Sequence, residues 1–588
     1  MPIPRPEHPR PQFRRADWIN LNGPWNFRID HGDSGLEAGW AQDPTPIDRQ
    51  IEVPFCPESA RSGIRHTDFM TAVWYHRTIE TPAAWLAGRV LLHFGAVDYE
   101  CRAFVNGQPV GIHYGGSSSF AFDITEALSD GRGDLVVLAR DDVRSGLQPA
   151  GKQSQRLQSH GCHYTRTTGI WQTVWLEAVS ASSIEQVRIV PNLDSARFDL
   201  TPTFTNARRD LFFRAVLLDD DQEIATATIP AQSGVSMALK IPNPHPWSPT
   251  DPHLYDLRFD LLDNDTVIDQ VASYAGLRKF HIEGHRFFLN NTPIFLRFVL
   301  DQGFYPDGIW TAPTDAALKR DIELAQDAGF NGARLHQKVF EERFHYWADR
   351  LGYLTWGEFC DWGTDFGQPQ AIANHQREWR EVVLRDLNHP SIVAWTPFNE
   401  TIGQARRQPE AHSRALADIY HITHTLDPTR PTHDTSGYAH VKTDIYSVHD
   451  YEQDAEQFAE TYASVDPAHP QHARVCFPDM ETPYQGQPYV VDEYGGSWWS
   501  TDDDGEGTDR DESWGYGNRP RDMDEVCRRI EALTLVLCGQ PHIAGYTYTQ
   551  LTDIEQEQNG IYTYDRQAKF DAKRLRQAFT ATAKIEQT

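Results

Sequence analysis

From residue 277 to its end the chain keeps switching between two periodicities, and that switch constrains the fold more than any other feature. "DAALKRDIELAQDAGF", "EERFHYWADRLGY", "HQREWREVVLRDLNH", "EAHSRALADIYHITHTLDP" and "DEVCRRIEALTLVL" space their apolar residues as amphipathic helices do. Between and around them lie short runs: "IFLRFVL", "NGARLH", "LTWGEF", "SIVAWTPF", "PTHDTS", "DIYSVHDY", "YVVDEYGG" and "HIAGYTYTQ". Strands separated by helices pair in parallel, because each helix carries the chain back across the sheet. Eight such strands predict a (β/α)8 TIM barrel over residues 277–588.

The first 276 residues read differently. "AVWYHRTIE", "RVLLHFGAV", "CRAFVNGQPV" and "DLVVLARDD" alternate apolar and polar positions, punctuated by Gly, Pro, Asn and Asp. The Asn-Gly of "FVNGQPV" supplies the positive φ angles of a tight hairpin turn. Residues 1–180 are expected to form a jelly-roll-like β-sandwich. Residues 181–276, with runs such as "EQVRIVPNL", "LFFRAVLLDD" and "LYDLRFDLLD", are expected to form a smaller immunoglobulin-like β-sandwich.

In such a barrel the chemistry stands at the C-terminal ends of the strands. Two strands end in carboxylates. "HPSIVAWTPFNE" closes in Asn399-Glu400, and "QPYVVDEYGG" closes in Glu493 before Gly-Gly. Counted along the chain these are strands four and seven, which converge on the barrel axis from opposite sides. A solitary Glu is usually a solvated surface group. Two of them, each ending an apolar strand of one barrel, suit glycoside hydrolysis, where one carboxyl is kept protonated and the other ionised.

Charge and composition remove other classes. Lys+Arg number 54 against 83 Asp+Glu, a net charge of -29, so no nucleic-acid partner is expected. No apolar run approaches the ~20 residues of a membrane helix, so no membrane partner is expected either. The seven cysteines are widely spaced with no CxxC, which suits reduced thiols. HExxH and His/Cys clusters with metal spacing are missing, and neither cofactor nor metal is expected. The opening "MPIPRPEHPRPQF" has no apolar secretory core, so the expected compartment is cytoplasmic. The expected partner is a carbohydrate substrate; a homo-oligomer is compatible with it.

"HPSIVAWTPFNE" and "VVDEYGG" resemble the acid/base and nucleophile signatures of glycoside hydrolase family 2, which includes β-galactosidases, β-glucuronidases and β-mannosidases. "WINLNGPWNFRID", "VNGQPVGIHYGGSSSFAFDIT", "RTTGIWQTVWLE" and "GLRKFHIEGHRFFLNNTPIFLRFV" resemble its opening strand, its sugar-binding domain, that domain's end and the barrel entry. The resemblance spans nearly the whole chain. It implies a retaining exo-β-glycosidase with Glu400 as general acid/base and Glu493 as nucleophile. It also implies that Asn399 holds the sugar's 2-hydroxyl, that Arg334 pairs with the nucleophile and that Tyr451 steers it. His336, on the strand face of Arg334, and His449 are candidates for substrate contact. So are Asp301 and Gln302 after strand one, Glu358 closing strand three, Trp498 after the nucleophile strand and Tyr548 at strand eight.

Departures from the family bear on the sugar. Bacterial β-glucuronidases carry Asn-x-Lys after strand eight to grip the sugar carboxylate; here "EQEQNGIYTYDRQAK" follows Asn559 with Gly560-Ile561. A sugar carboxylate normally needs Lys or Arg. Lys338, Arg566 and Lys569 are the available substitutes. The large β-galactosidases have an Asn-Arg-His-type sequence after strand one, where this chain has "FVLDQGFYPDGIWTAPTD". β-Galactosidase-like activity is the first choice, with β-glucuronidase, β-mannosidase or a pentosidase as alternatives. A carbohydrate-binding protein that kept the fold and lost the chemistry is the rival from another class. "SWWSTDDDGEGTDRDESWGYGNRP" reads as an ordered loop that closes the pocket.

Overall fold

The structure is a computed structural model that describes residues 2–500 and 513–587. The acidic runs that follow "YVVDEYGG", expected to belong to an ordered loop closing the pocket, lie outside the described residues.

Two antiparallel sheets make the first domain. One orders Trp18–Asn20, Val174–Val179, Arg89–Phe94 and Phe120–Asp123; the other orders Arg49–Val53, Gly23–Asp30, Ala72–Glu80, Arg132–Arg140, Glu100–Val105 and Gln108–Tyr114. Alternation along these strands sends Phe27, Val73, Tyr75, Leu135 and Val137 into the space between the sheets, where they are buried. The expected hairpin turn is present, with φ of 50° at Asn106 and 75° at Gly107. In the second domain a sheet of Ser183–Asn192, Arg197–Thr205 and Met237–Lys240 and a sheet of Gln222–Pro230, Leu211–Asp219, Tyr255–Asp263 and Thr266–Ala275 share a core of Phe198, Phe213 and Phe259.

The third domain is the barrel. Its parallel sheet runs Ile392–Thr396, Leu354–Glu358, Gly332–Leu335, Leu296–Asp301, Ile543–Thr549, Tyr489–Gly495 and Tyr446–Asp450, which is strand order four, three, two, one, eight, seven, six. Strands four and seven are buried along their whole length, as their unbroken apolar sequences require. The fifth position differs from the expectation. "PTHDTS" is not a regular strand; it meets strand four only at the parallel bridges Trp395–Thr432 and Asn399–Ser436. Side chains have taken its backbone donors: Thr432 N donates to Asp444 Oδ2 at 2.8 Å and Thr435 N to Asp434 Oδ1 at 2.8 Å. Those amides are unavailable to a ladder.

The N-terminal sandwich is mounted on the barrel mouth. Ala150 N donates to Trp362 O at 2.7 Å and Gly151 N to Cys360 O at 2.9 Å, just past strand three. Tyr164 and Trp171 of the sandwich share an apolar cluster with Phe304, Trp310 and Ile554 of the barrel. Among the described residues no helix is long and apolar enough to cross a membrane.

Candidate active site

Strand four delivers Asn399 and Glu400 through two backbone hydrogen bonds. Asn399 N donates to Asp361 Oδ1 at 3.0 Å, and Glu400 N donates to Ser436 O at 3.0 Å. Glu400 has φ of 53°, a left-handed conformation that costs a non-glycine residue about 1 kcal/mol and that the surrounding bonds hold in place. The turn sends the Glu400 side chain back across the mouth. Asn399 Oδ1 accepts from Arg334 at 2.9 Å, while its buried Nδ2 has no protein partner.

Glu493 meets it from strand seven. One carboxylate oxygen of Glu400, one of Glu493 and a ring nitrogen of His449 lie within 4.8 Å of one another. This same trio is the group among the described residues close enough to chelate a cation. Arg334, fully buried on strand two, donates to Glu493 Oε1 at 2.8 Å and to Glu358 Oε2 at 2.5 Å. Tyr451 donates its hydroxyl to Glu493 Oε2, and its ring lies flat on Tyr516 with centroids 3.4 Å apart.

His449 Nδ1 is 2.8 Å from Glu400 Oε1 and 3.4 Å from Glu493 Oε2, while Nε2 is 2.9 Å from Ser436 Oγ. Burial alone would push both carboxyls up and the imidazole down; the facing charges reverse all three. Glu493, Asp492 and Glu400 raise His449 above its ordinary 6.5. Against burial, His449 and the Tyr438 hydroxyl hold Glu400 down at about 2. His449 and Arg334 hold Glu493 at about 2 despite the charge of Glu400. The directions oppose one another across the contact: the imidazole gains hold on a proton where the Glu400 carboxyl loses it.

The other predicted residues divide. His336 and Glu358 belong to the framework around Arg334. His336 Nδ1 lies 2.9 Å from Glu358 Oε1, and burial keeps the imidazole neutral. Glu358 is bonded to Arg334, His336 and the amide of Gln337, a set of contacts that orients the arginine. Gln302 is buried in a chain of bonds: its Nε2 donates to Tyr164 Oη at 3.0 Å and Gln550 Oε1 at 2.5 Å, and its Oε1 has no partner. Asp301 sits apart, raised to about 7 by burial and Asp321, with Arg566 and Lys338 as its cationic neighbours. Tyr548 is also apart. Its ring packs among Tyr494 and Phe579 in the shell between sheet and helices. Trp498 is half-buried under Arg519, whose guanidinium lies 5.4 Å from its ring, and among the described residues no hydrogen bond or ring contact ties it to Glu400 or Glu493.

Several residues were not singled out from sequence. Ser436 and Tyr438 come from the irregular fifth position. Glu557, beyond strand eight, accepts from Tyr164 Oη at 2.5 Å and from Asn559 Nδ2 at 3.0 Å. Lys152 and Tyr164 come from the N-terminal sandwich, whose strand pattern carries no sign that one of its loops enters the barrel mouth. The three cations offered for an acid sugar are all occupied. Lys338 donates to the carbonyls of Gly303 and Trp310, Arg566 pairs with Asp321, and Lys569 pairs with Asp553 at 2.7 Å.

A carboxylate pair at the mouth of a (β/α)8 barrel, here a buried Glu493 and a half-buried Glu400, is the equipment of a glycoside hydrolase. Comparison with known proteins gives the family. The chain belongs to glycosyl hydrolases family 2: the family's sugar binding domain matches residues 19–176, a second match to glycosyl hydrolases family 2 covers residues 182–278, and its TIM barrel domain matches residues 280–501. The chain is 26% identical over 441 residues to a β-glucuronidase of Paenibacillus borealis, across 70% of this chain and 72% of that one. It is 24% identical to a β-galactosidase of Thermoanaerobacter pseudethanolicus, across 71% of this chain and 54% of that one, so it spans about half of that relative. The fold superposes on a Ruminococcus gnavus β-glucuronidase solved with D-glucuronic acid at a TM-score of 0.80 and 19% identity, covering 98% of this chain and 100% of that one.

Proposed function

We propose that this family 2 exo-glycosidase is a retaining β-glucuronidase that removes a terminal sugar by double displacement. The observation that carries the mechanism is the approach of Glu400 to Glu493 within 4.8 Å. A retaining pair stands roughly 5–5.5 Å apart, whereas an inverting pair stands farther apart to admit a water. Glu493, ionised by Arg334 and His449, attacks the anomeric carbon. His449 passes its proton along the 2.8 Å contact to Glu400, which protonates the leaving oxygen. Glu400 then deprotonates the water that releases the sugar from Glu493. The glucuronidase relatives move the choice of sugar away from the galactosidase expected from sequence; the β-galactosidase relative supports that second reading.

A panel of nitrophenyl β-glycosides on wild type, Glu400→Gln and Glu493→Ala tests this. The expected result is turnover of the glucuronide with loss in both variants, and NMR showing the β-anomer released first. First release of the α-anomer would overturn the retaining mechanism. Turnover of the galactoside alone would return the choice to β-galactosidase.

A further inference from the structure

We propose that Lys152, carried into the barrel mouth by the N-terminal sandwich, binds the carboxylate of a terminal uronic acid. The inference rests on the glucuronidase reading above and names the group that would recognise its acid sugar.

The loop bearing Lys152 is built to press on the barrel. Gly151 has φ of 57°, and a Cβ there would lie 2.3 Å from Gln337 O, so only glycine allows the approach. The amides of Ala150 and Gly151 donate to Trp362 O and Cys360 O, and Tyr164 N donates to Lys152 O at 2.8 Å. Backbone is therefore pinned on both sides of the lysine. Its ammonium lies 5.4 Å from the Trp362 ring centroid, and Trp362 Nε1 donates to Asn399 O at 3.1 Å, beside the acid/base residue. Glu557, Glu400 and His336 all feel its charge, which places it between strands two, three, four and eight at the mouth.

Lys152 is 7% exposed. Among the described residues its ammonium makes no hydrogen bond and no ion pair within 4.0 Å. Buried ammonium groups are normally paired. The contrast with its neighbours is sharp: Arg334, Lys338, Arg566 and Lys569 each have protein acceptors. A neutral hydroxyl would accept one hydrogen bond from Lys152 but form no direct ion pair with it. A carboxylate supplies both. A dianion is disfavoured because Glu557 and Glu400 lie in the same field.

The test uses the full chain and its Lys152→Met and Lys152→Arg variants. Each is assayed on nitrophenyl β-D-glucuronide, β-D-galacturonide and β-D-mannuronide beside the matching glucoside, galactoside and mannoside. Wild type should prefer an acid sugar to its neutral partner. Lys152→Met should lower that preference about ten- to hundredfold, chiefly through KM, and Lys152→Arg should recover part of it. Thermal melting identifies a misfolded variant, in which case Lys152→Gln takes its place. An acid preference that survives the loss of Lys152 overturns the inference and leaves the glucuronidase reading intact. Wild-type turnover of neutral sugars alone overturns both. If no glycoside is turned over, titration with D-glucuronate decides: binding that Lys152→Met loses upholds the role of Lys152, and no binding overturns it.

Discussion

His449 Nδ1 lies 2.8 Å from Glu400 Oε1, and the facing carboxylates raise the imidazole above its ordinary 6.5, which on the proposed mechanism makes His449 the proton reservoir for Glu400. The pH profile of kcat/KM reports the free enzyme and should show this. Activity requires one proton on the His449–Glu400 pair and none on Glu493. The alkaline limb should therefore fall above pH 6.5, where His449 loses its proton, and the acid limb near pH 2, where Glu493 gains one. In His449→Gln the proton must sit on Glu400 alone. The alkaline limb should then move to lower pH, because a carboxyl releases the proton sooner than the raised imidazole. An unmoved limb would show that His449 is not the reservoir.

The same charges link pH to stability. Glu400 and Glu493 titrate at about 2 in the fold against an ordinary 4.5. Groups depressed by folding stabilise fully above their unfolded value and lose that contribution as pH falls through the folded one. His449 has the opposite sign: its contribution is full below 6.5 and is lost as pH rises through its raised value. The Tm should decline between pH 4.5 and 2, and Glu493→Gln should flatten that decline. Calorimetry across the range would reveal an equal decline in both proteins if Glu493 makes no such contribution.

Glu493→Ala should lower kcat by about a thousandfold or more while leaving the melting curve cooperative. Azide fits the space of the lost carboxylate and needs no general base. It should restore turnover of a nitrophenyl glycoside and give the α-glycosyl azide, since attack then comes from the nucleophile's side. Substantial residual turnover without azide would remove Glu493 from the nucleophile's role.

The barrel and the two carboxylates at its mouth could be read from sequence because each rests on a local pattern. An apolar strand ending in Glu is visible in a dozen residues. So is the alternation that makes the sandwiches. The fifth strand position was read as regular because the pattern of "PTHDTS" does not say that Asp444 and Asp434 will take its amides. The place of Tyr548 at the end of an apolar run suggests the pocket, but side chains alternate along a strand and this one turns outward to Tyr494 and Phe579. Lys152 is separated from Glu400 by 248 residues of sequence, and only the docking of two domains brings them into one pocket.

Asn399 offers the most direct probe of the sugar itself. Its Oδ1 is fixed by Arg334 at 2.9 Å, so the amide cannot rotate freely, and the buried Nδ2 is left as an unused donor beside Glu400. A buried donor without an acceptor is costly until a ligand supplies one. The 2-hydroxyl of the sugar is the expected acceptor. Asn399→Ala should lower kcat/KM about ten- to hundredfold on the parent glycoside. On the matching 2-deoxy glycoside the same substitution should cost little, because the partner is already gone. Equal losses on both substrates would mean that Asn399 acts by holding Arg334 and the backbone of Glu400, and that the 2-hydroxyl finds its donor elsewhere.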